Sequence, residues 1–349
     1  LKVEKTDFTN RRKLVKRVLI FLPIFAIINL IVVFLFTDSS DLLEIRKVYP
    51  GYLLLAAGIR LVPWFIKAIR IKNWMVFLQQ KFSYWQGVRI SIWSELGPAV
   101  TPTALGGQPI ILGMLYRRGL SAGEAATLTT VNSVEDIVAH TIGFPLAILT
   151  GIVLQLNVLH HLHQVLHSRI LTFGIALIVV VILMFAWRFL WRRSGHPGKI
   201  RMKILRFWIE FKSVYGSMIR RGKLRFTLNV LLSAIQWTSR YSITAILVLG
   251  LGYHVNIFAM IVIQMMVFAL MSLVPTPGAT GGAEGLFLLF FKNILPDSAI
   301  GTILIGWRFL DFYFLGIVSL IYIGTETWYR KIRDSHSAEP VEQTGDNPR

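Results

Sequence analysis

Cysteine is absent from the 349 residues of this chain, so disulfides, thiol nucleophiles and thiolate metal sites are excluded. Acidic residues are scarce: 18 Asp and Glu stand against 37 Lys and Arg, and charged residues of both signs make up only 16% of the chain. The HExxH and GxSxG motifs and the glycine-rich phosphate loop of nucleotide hydrolases are missing. A zinc protease, a serine hydrolase or an ATP-driven pump therefore has no support in the sequence. The ten-residue alternation of a transmembrane barrel is missing too. What the chain has instead is apolar length, with 54% hydrophobic residues and a mean hydropathy of +0.59. Runs of about 20 apolar residues can each cross a bilayer, and a helix satisfies its own backbone there. Run lengths predict spans near 18–36, 50–69, 122–154, 170–190, 226–250 and 299–325.

The net charge of +19 would suit nucleic acid, but its distribution points elsewhere. Arg188 to Arg225 hold twelve Lys/Arg and one acidic residue, Glu210. Basic loops of this kind mark the cytoplasmic side of a membrane protein. Residues 1–17 form a basic cytoplasmic tail, followed by a run with no small-residue cleavage site, which predicts an uncleaved first span. Asp38, Asp41 and Glu44 place the next loop outside, and "RIKNWMVFLQQK" (70–81) reads as a basic inner loop. "HHLHQVLH" lies in an external loop; its helically spaced His160, His163 and His167 lack acidic or cysteine partners, so no metal is predicted. Residues 199–221 carry Ile204, Trp208, Phe211, Tyr215 and Met218 along one stripe among basic residues. That pattern fits an in-plane helix on anionic lipid or a lid packed on the bundle.

Two segments break their own helices. "TPTALGG" (101–107) and "TPGATGG" (276–282) agree at five of seven positions and are displaced by 175 residues. The same displacement pairs Thr127 with Thr302 and Asp136 with Asp311. Loop charges are consistent if 86–116 and 255–292 each enter the membrane and return on the same side. The expected architecture is therefore an all-α polytopic membrane bundle with two re-entrant broken-helix hairpins. Inverted repeats around 86–154 and 255–325 sit within an integral domain at 18–328, and a polar tail (329–349) follows. Pro102 and Pro277 end one helix, and Gly106, Gly107, Gly281 and Gly282 permit the turn and restart. Each restarted half-helix directs unpaired N–H groups toward the membrane interior, where an anion such as phosphate is favoured. Thr101, Thr103, Thr276, Thr280 and Gln108 could add donors, and Glu284 could contact substrate or cap its helix.

Ionisable residues within the apolar spans are Arg60, Glu95, Glu135, Asp136, Arg240, Arg308 and Asp311, with His140 close by. Unpaired, each costs on the order of 2.5–3.5 kcal/mol on insertion scales, so they must face each other or a polar cavity. Arg308 and Asp311, three apart, could form a local pair. Alternatively Arg60, Arg240 and Arg308 clamp a phosphate, with the carboxylates as counter-ions or proton carriers.

"GGQPIILGMLYRRGLS", "VEDIVAH" and "PTPGATGGAEG" resemble the lysylphosphatidylglycerol synthase transmembrane-region family, the flippase-like half of the bacterial multiple peptide resistance factor. The resemblance covers about residues 15–328. Pro277, Gly278, Gly281 and Glu284 carry its more specific motif. Gln108 departs from the carboxylate many members have there. The polar tail stands where larger relatives carry an aminoacyl-transfer domain, so the resemblance implies lipid translocation rather than synthesis. It implies a multi-pass protein of the bacterial cytoplasmic membrane, with both termini cytoplasmic, handling anionic phospholipids without a cofactor or nucleic acid. A homo-oligomer and a separate lipid-modifying enzyme remain open as partners. An integral membrane enzyme using Glu135, Asp136 or Asp311 as acid or base is the alternative, and a secondary transporter of a small anion is the third.

Overall fold

The computed structural model describes residues 47–97, 107–153, 198–271, 279–292 and 294–336, with a few isolated positions besides. The described residues are helical and hold no strand. Helix α1 (Pro50–Phe77) opens with proline in its first turn, where the missing N–H is no loss. Helices α2 (Tyr84–Ser94) and α3 (Gly107–Tyr116) follow, then α4 (Ala122–Val153). The second half runs α5 (Gly198–Arg221), α6 (Lys223–Gly250), α7 (Ile257–Met271), α8 (Gly282–Phe291) and α9 (Asp297–Arg308). A six-residue π segment, Phe309–Phe314, leads into α10 (Leu315–His336). Among the described residues, two stretches are both long and apolar enough to cross a membrane, Pro50–Phe77 and Asp297–Tyr329. Helices α4 and α6, at 32 and 28 residues, rise ~42 Å or more.

Local chemistry sets several boundaries. Ser121 and Glu124 cap α4 reciprocally: the Ser121 N–H donates to Glu124 Oε2 (2.8 Å) and the Glu124 N–H to Ser121 Oγ (3.1 Å). Gln79, with φ of 56°, turns the chain between α1 and α2. The predicted inner loop at 70–81 is corrected here. Helix α1 continues to Phe77, and Arg70, Ile71, Trp74 and Met75 are buried. The run "RIKNWMVF" is two more helical turns, because Arg70 finds carboxylate partners inside the bundle.

Helices α1 and α6 run antiparallel and touch along their length. The Tyr49 N–H donates to Gly250 O (2.8 Å), and at the other end a Cβ on Gly222 would meet Trp74 at 2.8 Å. Around this pair the long and short helices follow in the same order in both halves. Helices start at 50, 84, 107 and 122, and again at 223, 257, 282 and 297, displaced by 173 to 175 residues. One apolar core joins α6 through α9, with Phe291, Phe287, Trp307, Phe268 and Tyr241 in successive ring contact. A second joins α1, α3, α4 and α5 around Trp74, Leu115, Leu128 and Met218. The opposite side of α4 exposes Ile137, Ile142, Leu146, Leu149 and Ile152, a surface suited to lipid rather than water.

Both helix breaks are present: α2 ends at Ser94 and α3 starts at Gly107, while α7 ends at Met271 and α8 starts at Gly282. The two helices flanking each break pack on each other. A Cβ on Gly107 would lie 2.9 Å from the Ser94 carbonyl oxygen, and one on Gly282 would lie 2.6 Å from a Val274 methyl. Alanine at either position is expected to destabilise by about 1–3 kcal/mol through overpacking. Val274→Ala should rescue Gly282→Ala, whereas no side-chain deletion should rescue Gly107→Ala, whose obstacle is backbone. Gly285→Ala, with nothing within 4 Å of its Cβ, serves as the unperturbed control in thermal unfolding of the solubilised protein.

Helix α5 divides the predicted stripe between two surroundings. Phe211, Tyr215 and Met218 turn toward the bundle, with Thr127 Oγ1 donating to Phe211 O (3.3 Å). Trp208, earlier on the same stripe, is exposed, as are Met202, Leu205 and Ile209 beside it.

Candidate functional site

Helices α1, α4 and α6 each turn a polar stripe inward. Arg60, Lys67, Arg70 and Trp74 share one face of α1, and Asn229, Ser233, Gln236 and Arg240 share one face of α6, by the 3.6-residue period. Between them α4 presents Glu135 and Asp136. The result is a ladder of buried polar groups through the bundle, with two charged rungs.

The first rung is centred on Arg70. Its Nε and Nη2 both donate to Glu135 Oε2 (3.1 and 2.9 Å). Nη1 donates to Asp136 Oδ1 (2.7 Å) and to Gln236 Oε1 (3.2 Å), while Nη2 also reaches Asn132 O (2.8 Å). Glu135 Oε1 accepts from Trp74 Nε1 (2.5 Å) and Asn229 Nδ2 (3.0 Å). Ser233 Oγ donates to Asp136 Oδ1 (2.5 Å). A charge this deep persists only when so many partners replace its water. One turn on, His140 Nδ1 contacts Asp136 O (2.6 Å) and His140 Nε2 contacts the Tyr241 hydroxyl (2.6 Å). A carbonyl only accepts, so Nδ1 carries the proton, and in the neutral ring Nε2 accepts from Tyr241.

The second rung is centred on Asp311. Arg240 grips it with both prongs, Nε to Oδ1 (2.7 Å) and Nη2 to Oδ2 (2.8 Å). Arg60 Nε lies 3.0 Å from Oδ1, and Arg60 Nη2 donates to Asp311 O (3.1 Å). The π segment places that backbone oxygen within reach of Arg60. Single π turns inside α-helices often coincide with functional positions. The Arg240 guanidinium also lies over the Phe268 ring, 4.5 Å from its centroid.

At the second break, Glu284 does two things. Its Oε2 accepts the Gly281 N–H (2.6 Å), and its Oε1 pairs with Arg308 Nε (2.6 Å). Gly281 has φ 85° and ψ −51°, near the strained γ-turn that L residues avoid. Capping and charge pairing thus coexist in one buried carboxylate. The local Arg308–Asp311 pair expected from their spacing does not form. Arg308 goes to Glu284, and Asp311 goes to Arg60 and Arg240. The three arginines read as free clamps are each held by a protein carboxylate.

Among the sequence-derived site residues, Glu135, Asp136, Arg240 and Asp311 fall on the ladder, and Gly281, Gly282, Glu284 and Arg308 gather at the second break. Gly107 and Gln108 begin α3 at the first break. Thr101, Pro102, Gly106, Thr276 and Pro277 lie outside the described residues, as do Thr103 and the 160–167 histidines. Sequence reasoning missed Arg70, Lys67, Asn229, Ser233 and Gln236. The signal was the helical period of polar residues at 60, 67, 70 and 74 on α1 and at 229, 233, 236 and 240 on α6; Arg70 fell outside the run ended at 69, and Lys67 was passed over within it.

A family model described as the lysylphosphatidylglycerol synthase TM region matches residues 17–319. A UPF0104 membrane protein of Archaeoglobus fulgidus is 24% identical over 319 residues, covering 83% of this chain and 92% of its own length.

Proposed function

The chain belongs to the lysylphosphatidylglycerol synthase transmembrane-region family, whose model spans most of it, and from that premise we propose that it moves a phospholipid or lipid-linked headgroup between the leaflets of the cytoplasmic membrane. The single observation that carries this is how the matched aspartates dock. Asp136 and Asp311 both engage the α1–α6 pair: Asp136 through Arg70 and Ser233, Asp311 through Arg60 and Arg240. Helices α1 and α6 hold corresponding places in the two halves and run antiparallel. Inverted repeats require such a relation, and transporters with inverted repeats bind substrate between the halves. We place the two breaks as re-entrant hairpins, the termini in the cytoplasm, and the substrate among anionic phospholipids. Rocking one half against the other would then carry the headgroup, with no chemical change to it.

The test is movement of chain-labelled phospholipids in vesicles containing the purified protein, across a panel of headgroups, with lipid mass checked afterwards. Protein-dependent movement with unaltered mass is expected; altered headgroups would point to an enzyme instead. Single cysteines at Arg117 and Lys212 should label only from the cytoplasmic side, and one at Asp297 only from outside. External labelling at Arg117 would remove the first re-entrant hairpin and the inverted relation with it.

A further inference from the structure

Between the two charged rungs the ladder has a gap. Arg60 and Arg70 are ten residues apart on α1, ~15 Å along the helix axis, and Lys67 lies between them on the same face. Every interior arginine of the two rungs and of the second break is matched to a carboxylate. Lys67 is not. No ion pair or side-chain hydrogen bond joins it to another described residue. The same holds for the carboxylate of Glu95, which ends α2 at the first break.

The gap is also where the buried ladder opens. Arg60, Arg70, Glu135 and Asp311 are at most 2% exposed, but the side chains of Asp136 and Arg240 are 24% and 25% exposed. Lys67 and Glu95 are half-buried as well. Lys67 lies within electrostatic range of Glu95, Asp136 and Arg240, and Glu95 within range of Arg60 and Arg240. Four partly exposed charged groups therefore gather in the gap, and two of them lack a bonded partner. An ammonium on a flexible stem, strongly hydrated and unpaired, is costly to keep in a membrane interior unless an anion meets it there.

We propose that this gap is a phosphate-binding site, in which Lys67 pairs with the phosphodiester of a glycerophospholipid and Glu95 is the nearby carboxylate whose charge opposes that binding. Lys67 suits the task better than the arginines. Engaging one of those would strip a buried carboxylate of its partner, whereas Lys67 takes an anion without breaking any pair. The lipid source of the phosphate rests on the translocation proposed above; the site itself does not.

Isothermal titration of the full chain in neutral maltoside micelles tests it, with monomeric short-chain phosphatidylglycerol and inorganic phosphate as probes. Lys67→Met should weaken lipid binding by about tenfold or more, equivalent to losing one charge-assisted contact. Lys67→Arg should stay within about threefold, and Glu95→Gln should bind more tightly because no competing carboxylate remains. Thermal midpoints establish that each variant is folded, and Glu95→Gln carries the test if Lys67→Met is not, unchanged affinity there overturning the site. Wild-type affinity in Lys67→Met overturns the site. Binding of inorganic phosphate but not of lipid, lost in Lys67→Met, keeps the site and overturns its lipid source. Lipid movement that persists unchanged in Lys67→Met sinks this inference and leaves translocation standing. Lys67-dependent binding in a protein that moves no lipid does the reverse.

Discussion

Asp311→Asn is expected to destabilise the protein by about 3–5 kcal/mol, the cost of leaving a buried charge without its partner, and to abolish the proposed lipid movement. Asparagine keeps the shape of the side chain but removes the carboxylate that both Arg60 and Arg240 contact. Arg60 would retain the Asp311 backbone oxygen, and Arg240 its stacking on Phe268. Neither replaces a carboxylate for a guanidinium in hydrocarbon. Asp136→Asn provides the contrast, because Arg70 would still hold Glu135 Oε2 through two donors. Its cost should be about 1.5–3 kcal/mol, the range for a hydrogen bond to a charged group. The measurement is the thermal midpoint of each solubilised variant beside its lipid movement. Equal destabilisation by the two variants would mean that the second rung is not the load on which Arg60 and Arg240 both depend.

The difference between these two aspartates could not be read from the sequence, although their correspondence could. The displacement of 175 residues is visible because the breaks are written in proline and glycine, whose backbone effects are local. Positions 107 and 282 restart helices where those residues require it. The interrupted helix order follows from the same letters, and the apolar runs place α4 and α6 to within a few residues. Partner choice is different in kind. Arg60 meets Asp311 across 251 positions and Arg70 meets Glu135 across 65, and no local period encodes such meetings. The sequence reading therefore offered Arg308 either its nearest acid or, together with Arg60 and Arg240, a phosphate.

Two further features depended on the folded environment. Arg70 reads as the start of a basic loop because lysine and arginine follow an apolar run. It is helix interior only because Glu135 and Asp136 lie opposite. The π segment has no recognisable sequence mark; FLDFYF is ordinary apolar helix. Its consequence appears only when Arg60 is found on the Asp311 carbonyl. Helix α5 was legible as amphipathic, but not the division of its apolar side chains between the bundle and the outside. That division is set by the close approach of α5 to α4, where a Cβ on Gly123 would lie 2.6 Å from Glu210 Cβ.

The Arg308 question has a sharp outcome, because its two candidate partners predict different double-mutant cycles. In the structure Arg308 and Glu284 are both buried, at 1% and 0% exposure, with 2.6 Å between Nε and Oε1. Glu284→Gln can still accept the Gly281 N–H through its amide oxygen, so the cap survives while the charge goes. The arginine is then left buried and uncompensated, and a loss of about 3–5 kcal/mol is expected. Arg308→Met strands the carboxylate instead and should cost a similar amount. Removing both leaves no isolated charge, so Glu284→Gln/Arg308→Met should be milder than either single change, which makes the interaction energy at least about 3 kcal/mol. The cycle between Arg308 and Asp311 should show a much smaller interaction energy than the cycle with Glu284, because no ion pair joins them. Asp311 feels Arg308 only at longer range, its own partners being Arg60 and Arg240. Strong coupling of Arg308 to Asp311 together with none to Glu284 would restore the local pair and undo the long-range one. Helix α8 is thus tied to α9 by this carboxylate as well as by the Phe287–Trp307 ring contact, and Glu284→Gln should disturb the second break while leaving both rungs of the ladder intact.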